Sequence, residues 1–350
     1  MEKRIKQCIG IDCAKDELVC AFGIMKEDFG IEILSNSKFS NNEKGFRKLV
    51  AWAEKLKSTD YDLKFVIEAT GVYHESVSEY LHENSFQISV ILPNKIKAFS
   101  RTLSVKTVND KECAKIIAQF GLEKKLDLWQ PPQEVYQTLR QLTRERDQLL
   151  TEQTIKKNQL HAELSGAWPN KGSAERAKAL LKIIAKQIKE IEKEIKSIVQ
   201  SFSWLAEKME KLCSIKGVGL ITAATVVAET NGFHLIRNKN QLVSYAGLDV
   251  VEKQSGTSVR GKTRISKKGN KYLRKCLYFP AFTAIQHNKQ SKDQYEKIVS
   301  KTSIKMKGAV AVQRKILILI YTLWKTDHFF DPQYEQKKKN SKNTVLHELA

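Results

Sequence analysis

The sequence has no CxxC pair. Its six cysteines, Cys8, Cys13, Cys20, Cys113, Cys213 and Cys276, stand apart, and its seven histidines are scattered. This argues against a zinc ribbon or finger and leaves the cysteines as reduced, small core residues. No apolar run reaches the roughly 18 residues of a spanning helix, so no membrane partner is expected. The opening MEKRIKQCIGID lacks the apolar core and cleavage site of a secretory signal. The expectation is a cytoplasmic protein. There is no internal repeat. Negative charge is scarce, with 39 Asp and Glu against 60 Lys and Arg, for a net charge of +21 and a pI near 9.6. Such an excess opposes compaction and points to a polyanionic partner; of the two candidates, nucleic acid and an anionic membrane surface, nucleic acid is the one expected.

What is there begins with strands. Residues 3–24 read as two strands, the first ending near Asp12 and the second spanning about 17–24, and IEILSNSKF reads as a third. Helical spacing follows at Phe46, Leu49, Val50, Trp52, Ala53 and Leu56, after an Asn cap. LKFVIEA is a buried-type strand ending at Glu68. A helix at about 74–83, the strand QISVILP and a helix at about 109–121 ending at Gly121 complete the region. Three strands in succession, then alternating helices and strands, predict a mixed sheet flanked by helices.

WQPPQ at 129–133 reads as a linker. Residues 134–165 and 174–200 read as long helices. In the second, Ile184, Ile188, Ile191, Ile195 and Ile198 step by four and three as a heptad seam, suited to a hairpin or to another subunit. Further helices are expected at 277–290 and 305–325. The domains expected are therefore 1–128, a helical spacer at 129–203, a mostly α-helical domain at 204–330 and a loose basic tail at 331–350.

Three acids sit at the ends of elements. Asp12 closes the first strand, Glu68 closes a strand that lies beside it in this topology, and Asp110 opens the last helix of the domain. Carboxylates gathered in this way repel one another unless a cation neutralises them. Hard oxygen ligands suit Mg²⁺ or Mn²⁺, which orient and polarise phosphodiesters. Taken singly, each acid also reads as an ordinary surface group.

Residues 215–229, IKGVGLITAATVVAE, have the form of a helix-hairpin-helix, with Gly217 and Gly219 at the turn and backbone N–H groups free for a phosphate at the next helix start. An ordinary loop before a core helix is the plainer reading. Residues 251–276, VEKQSGTSVRGKTRISKKGNKYLRKC, hold nine Lys or Arg and one acid. A solvated basic face accounts for the charge alone. Arg260, Arg264, Lys267, Lys268, Lys271 and Arg274 are candidates to grip a nucleic-acid backbone.

IGIDCAKDEL, VIEATGVY and NDKECAKIIAQFG resemble the blocks of a RuvC-like, ribonuclease-H-type DEDD domain, and more narrowly those of the insertion-sequence one-ten family of transposases. SYAGLDVVEKQSGTSVRGKTRISKKGNKYLRKCL resembles the C-terminal transposase domain of the same family, by Ala-Gly-Leu, Ser-Gly, and Lys-Gly-Asn followed by Leu-Arg. The resemblance covers about 3–123 and 205–290, in the family's order. It implies an α/β RuvC-like domain and a serine transposase domain, on either side of the helical coiled-coil spacer read from the heptad seam. Asp12, Glu68 and Asp110 match the first three of four metal-binding acids. The fourth belongs three residues after Asp110, where Cys113 stands. Glu112 is adjacent but lies roughly 200° around the helix from Asp110.

The resemblance also implies that a serine is the nucleophile, which maps to Ser255 before Gly256, with Ser258 as competitor. The family's members recombine an excised circular element into target DNA, guided by a structured bridge RNA encoded by the element. They work as dimers that join into tetramers, with active sites shared between subunits. Two other readings fit the same residues. One is a metal-dependent junction-resolving nuclease that uses water and not Ser255. The other is an element-derived nucleic-acid binder whose acid site is dead.

Overall fold

A computed structural model describes residues 4–103, 109–234, 236–252, 254–255, 259–261 and 263–334. The chain divides into two compact units, Met1–Pro131 and Pro132–Ala350.

The first unit is a five-stranded sheet with helices on both faces. Its strands are β1 (Arg4–Cys13), β2 (Glu17–Lys26), β3 (Ile31–Ser40), β4 (Leu63–Glu68) and β5 (Gln87–Ile91). They run in the order β3-β2-β1-β4-β5. β1, β2 and β3 pair antiparallel, whereas β1 with β4 and β4 with β5 pair parallel. This is the mixed sheet with flanking helices expected from the sequence. Burial separates the strands by position. β2 is buried on both faces from Leu18 to Met25, and the edge strand β3 alternates, with Glu32, Asn36, Lys38 and Ser40 outward beside one exposed Leu34.

Ile9, Ile11, Phe22, Phe65 and Ile67 pack on one face of the sheet against Phe46 and Leu49 of α1 (Glu43–Leu56) and Val77 and Leu81 of α2 (Glu75–Glu83). On the other face, Cys8 and Val66 meet α3 (Pro93–Ser100) and α4 (Asp110–Glu123) through Ile96, Phe99, Ile117 and Phe120. The sequence pattern offers no helix where α3 lies. It also ends α4 at Gly121, but the helix runs to Glu123, because this glycine is a contact point and not a stop. A Cβ on Gly121 would lie 2.5 Å from the Cys8 Sγ and 2.7 Å from Val66. At Gly10 a Cβ would stand 2.2 Å from the Ala118 backbone nitrogen and 2.4 Å from the Ala114 carbonyl oxygen. These two glycines let α4 lie directly on the backbone of β1.

The second unit is built on two long helices, α5 (Glu134–Ser165) and α6 (Lys171–Ser201), joined by a short turn into a hairpin. Tyr136, Leu139 and Leu142 of α5 and Ile191, Ile195 and Val199 of α6 share one core with the helices that follow. The residues expected as a separate spacer are thus continuous with the C-terminal helices. Ile184, Ile188, Ile191 and Ile195 are buried, and Val199 takes the inward place the heptad gave to Ile198. Next come α7 (Ser203–Cys213), α8 (Leu220–Glu229) and α9 (Lys239–Tyr245). The short strands β6 (Val250–Val251), β7 (Gln254–Ser255), β8 (Val259–Arg260) and β9 (Arg264–Ile265) follow. Four helices close the unit: α10 (Lys271–Cys276), α11 (Tyr278–His287), α12 (Lys289–Thr302) and α13 (Lys305–Thr326). The single helix expected at 277–290 breaks at Asn288, whose side chain caps α12 by accepting from the Ser291 N–H. Of the expected tail, residues 335–350 lie outside the described residues. No described helix is long and apolar enough to cross a membrane.

Candidate active site

The acids of the first unit come together by strand register. The parallel pairing of β1 and β4 ends at Ile11 with Ile67, so Asp12 and Glu68 are the next step on each strand. Side chains alternate along a strand. Asp12 therefore shares the face of Cys8 and Gly10, and Glu68 shares the face of Val66. Both faces are covered by α4. Because Gly10 touches Ala114, the turn of α4 just before it brings Asp110 and Cys113 to the same carboxyl edge of the sheet. Asn109 fixes that turn, its side chain accepting from the Glu112 N–H at 2.9 Å. In open α/β sheets this edge is where ligands bind.

Electrostatics report the same convergence. Burial, and then the charge of Asp110, hold the Asp12 carboxyl above its usual range, although the Cys13 N–H hydrogen-bonds to it. Burial, and then Asp12, raise the Glu68 carboxyl. The half-buried Cys113 thiol is raised by burial, then by Asp12, Glu68, Asp110 and Glu112 in turn. Among the described residues none of Asp12, Glu68 and Asp110 has an ion-pair partner. Glu112, by contrast, is paired with Lys115 at 2.6 Å. The donor set of hard carboxylate oxygens held against their own repulsion fits a divalent cation such as Mg²⁺ or Mn²⁺. As they stand, no three His, Cys, Asp or Glu side chains among the described residues are close enough to enclose one. A cation held by all three would require these acids to draw closer together. Cys8, Cys13 and Cys20 are buried core thiols with raised pKa values, as expected.

In the second unit the basic stretch is a two-stranded ribbon. Val250 pairs with Ile265 and Val251 with Arg264. Further out, Gln254 pairs with Arg260 and Ser255 with Val259. The pairs are concentric, so Ser255 is the last described position before the tip. Gly256 and Ser258 lie outside the described residues, and Ser255 and Arg260 are described by backbone alone. Arg264, Lys267, Lys268 and Lys271 are exposed along the ribbon's foot. Arg274 is not free: its guanidinium donates to the carbonyls of Ala246 (2.8 Å), Gly269 (3.1 Å) and Asn270 (3.2 Å).

The marks Ala-Gly-Leu and Lys-Gly-Asn prove to be two halves of one clamp under this ribbon. Gly247 has φ +65°, and a Cβ on Gly269 would stand 2.5 Å from the Gly247 nitrogen and from the Tyr245 carbonyl oxygen. Backbone bonds tie Lys267 N–H to the Gly247 carbonyl (3.1 Å) and Asn270 N–H to that of Tyr245 (2.8 Å). The Asn270 side chain caps α10 by accepting from the Tyr272 and Leu273 N–H groups. It also donates to Glu229 at 2.6 Å. Glu229, its side chain 1% exposed, accepts a fork from Arg144 at 2.6 and 2.8 Å. The Tyr245 hydroxyl donates to the Glu229 carbonyl at 2.9 Å. Sequence reading missed Glu229 and Arg144. They are 85 residues apart, on two helices whose own patterns do not reveal the pairing.

Gly217 has φ +92°, and a Cβ there would meet the Pro280 carbonyl oxygen at 2.7 Å, so packing on α11 requires a glycine. Gly219 caps α8 with open space around it.

Comparison with known proteins bears on both units. A DEDD transposase model of IS110 matches residues 9–169, and the Transposase IS116/IS110/IS902 family model matches residues 209–296. The pilin gene-inverting protein of Moraxella bovis is 25% identical over 336 residues, 95% of this chain and 99% of that protein. The transposase for insertion sequence element IS1111A of Coxiella burnetii is 29% identical over 140 residues, 39% of this chain and 37% of its own. Among solved structures, Thermus thermophilus RuvC in complex with a Holliday junction substrate aligns with 35% of this chain and 99% of its own, at 7% identity and a TM-score of 0.27. Two transposase models are matched in sequence order and one relative is aligned almost end to end, so the chain is similar to IS110-type transposases over most of its length.

Proposed function

We propose that this chain is a transposase that cuts and rejoins DNA through a phosphoserine intermediate on Ser255, assisted by Mg²⁺ or Mn²⁺ held by Asp12, Glu68 and Asp110. The observation that carries the reading is the convergence of those three carboxylates, without ion-pair partners among the described residues, at the carboxyl edge of β1 and β4.

The Ser255 hydroxyl gives up its proton and its oxygen bonds to phosphorus. The phosphorus–oxygen bond to one strand end breaks, and that end leaves as a hydroxyl. A hydroxyl end of a second DNA then attacks the phosphoserine and restores the serine. One phosphodiester is exchanged for another, so no nucleotide cofactor is consumed. A bound divalent cation would polarise the phosphate oxygens and offset charge on the five-coordinate phosphorus. The exposed Arg264, Lys267, Lys268 and Lys271 suit the same charge and the DNA backbone. The open start of α8 at Gly219 suits a backbone phosphate. The +21 charge supports two polyanions at once, the element and target DNA and a structured bridge RNA that selects the target. In this reading the acids and the serine act on one phosphate, supplied by different subunits of a dimer or a DNA-bound tetramer in the cytoplasm.

The test uses the full chain, its element ends with the adjacent noncoding RNA, Mg²⁺ and end-labelled DNA. Label that stays on denatured wild-type protein, and on neither Ser255→Ala nor Asp12→Ala, is the expected result. Free cut DNA that persists in Ser255→Ala means hydrolysis by water. Salt-sensitive binding without any Mg²⁺-dependent cleavage means a binder only.

A further inference from the structure

At the foot of the ribbon lies a groove of about 770 Å³, whose aromatic and apolar wall has no part in the transfer chemistry proposed above. Its walls include Lys267, Lys271, Lys275, Tyr278, Phe279 and Met306. Phe279 is 76% exposed, an unusual cost for so large an apolar ring, and Met306 is 45% exposed beside it. The ring is not loose: Tyr278 holds it in a T-shaped contact at 5.3 Å and 87°, and Phe282 braces Tyr278 at 5.0 Å. Tyr272, also in the wall, is already occupied, with Arg144 at 4.7 Å and Lys271 at 5.1 Å from its ring. Phe279 is thus the braced, open aromatic platform of the groove.

Charge names the class of occupant. The only acid among the described residues of the wall, Asp147, is neutralised by Lys275 at 2.6 Å. Lys267 and Lys271 remain as exposed cations in the same wall as the apolar residues. Protein–protein interfaces are depleted in lysine at their centres, so a second copy of this chain fits poorly. A duplex keeps its base faces stacked inside and cannot use an aromatic platform. A strand with an unstacked base uses both features, its ring on the platform and its phosphates on the lysines.

We propose that this groove binds an unpaired polynucleotide strand, stacking one base on Phe279 and seating the flanking phosphates on Lys267 and Lys271. The proposal rests on the reading of the chain as a transposase that handles DNA and RNA. It adds a site for the strand that is unpaired during exchange or that protrudes from the guide.

The test measures binding of the full chain to labelled single-stranded DNA, single-stranded RNA and duplex DNA at one fixed salt concentration. Oligonucleotides of about 15 units match the site sizes of known single-strand binders. Phe279→Ala is expected to weaken single-strand binding about tenfold and to leave duplex binding unchanged. Its melting temperature should match wild type, because the ring is exposed. Phe279→Trp is expected to keep the affinity and to show emission quenched by single strands but not by duplex. Lys271→Ala is expected to reduce the salt slope for single strands by about 0.7. A stronger effect on RNA or on DNA identifies which strand is the occupant, and either supports the site. Equal loss for single strands and duplex, or no loss in Phe279→Ala, overturns the proposal while leaving the transposase reading intact. A change of oligomeric mass in Phe279→Ala by light scattering also overturns it, in favour of a protein interface. Failure of all three ligands to bind wild type would instead strike the transposase reading itself.

Discussion

Two clusters of carboxylates in this molecule have opposite fates. Glu229 is the more deeply buried, yet it is satisfied: Arg144 grips it with two hydrogen bonds and Asn270 adds a third. Asp12 and Glu68 are only part-buried, yet they have no cationic partner among the described residues, and each is raised by burial and by the other acids. A buried charge that is fully paired fixes a shape. Charges held together unpaired cost stability and make sense only if something else arrives to neutralise them. The first cluster is the base of the ribbon that carries Ser255, and the second is the candidate metal site.

The sharpest way to break this contrast is Arg144→Ala. It leaves Glu229 buried with Asn270 as its side-chain donor and should cost about 3 kcal/mol, the low end for a broken buried pair because the guanidinium is itself part-exposed. Urea unfolding measures it. A loss below 0.5 kcal/mol would mean that the clamp is not a structural element. Next in size is Gly10→Ala. Its Cβ would collide with the backbone of α4 at Ala114 and Ala118, at an expected cost of about 1–3 kcal/mol. It should also lift Asp110 away from Asp12. The observable is loss of Mg²⁺-dependent stabilisation in thermal melts, together with lower stability. Retention of the Mg²⁺ response would separate α4 packing from the acid site.

These two variants also mark what the sequence discloses. The succession of strands and helices, Asp12 and Glu68 at strand ends and Asp110 at a helix start were legible, because strand runs and caps are local signals. The tight seat of α4 was not, because Gly121 reads as a helix end until the strand beneath it is seen. The clamp was half legible. Gly247, Gly269 and Asn270 stood out as motif residues, but their partner Glu229 sits in an apolar helix as an isolated acid. Arg274 looked like a DNA contact in one dimension and is a backbone tie in three. The heptad seam announced a hairpin or an interface, and it is buried inside the chain.

A smaller effect, of opposite sign, is expected from Asp12→Asn. A carboxyl whose folded pKa is raised keeps its proton in the native state at pH values where the unfolded chain has lost it. The native state then binds more protons, so stability falls as pH rises from the ordinary carboxylate value through the raised one. Relieving this should stabilise the cation-free protein by about 0.5–1 kcal/mol at neutral pH and flatten the slope above pH 4. Strand cleavage should disappear in the same variant. Calorimetry across that window, in EDTA and then in Mg²⁺, checks both parts. An unchanged slope would mean that the acids do not repel one another in solution.

The smallest change in stability, and the finest test of the site, is Cys113→Asp. The thiol stands one helical turn from Asp110, and burial and four acids favour its protonated form. A neutral S–H is a poor ligand for Mg²⁺. An aspartate there adds a hard oxygen donor and one more negative charge. Without cation, the variant should be slightly less stable than wild type, because a fourth carboxylate joins the repulsion. With Mg²⁺ the order should reverse, and the Mg²⁺ concentration needed for half-maximal stabilisation should fall several-fold. Wild-type Cys113 supplies an independent readout, since a cation in the site should slow its alkylation, and Mn²⁺, the softer ion, should slow it more than Mg²⁺. Cys113→Ser controls for loss of the thiol alone. If Cys113→Asp leaves the Mg²⁺ requirement where it was and no cation protects the thiol, then Cys113 faces away from the metal. The three carboxylates would then hold the ion without help from the fourth position.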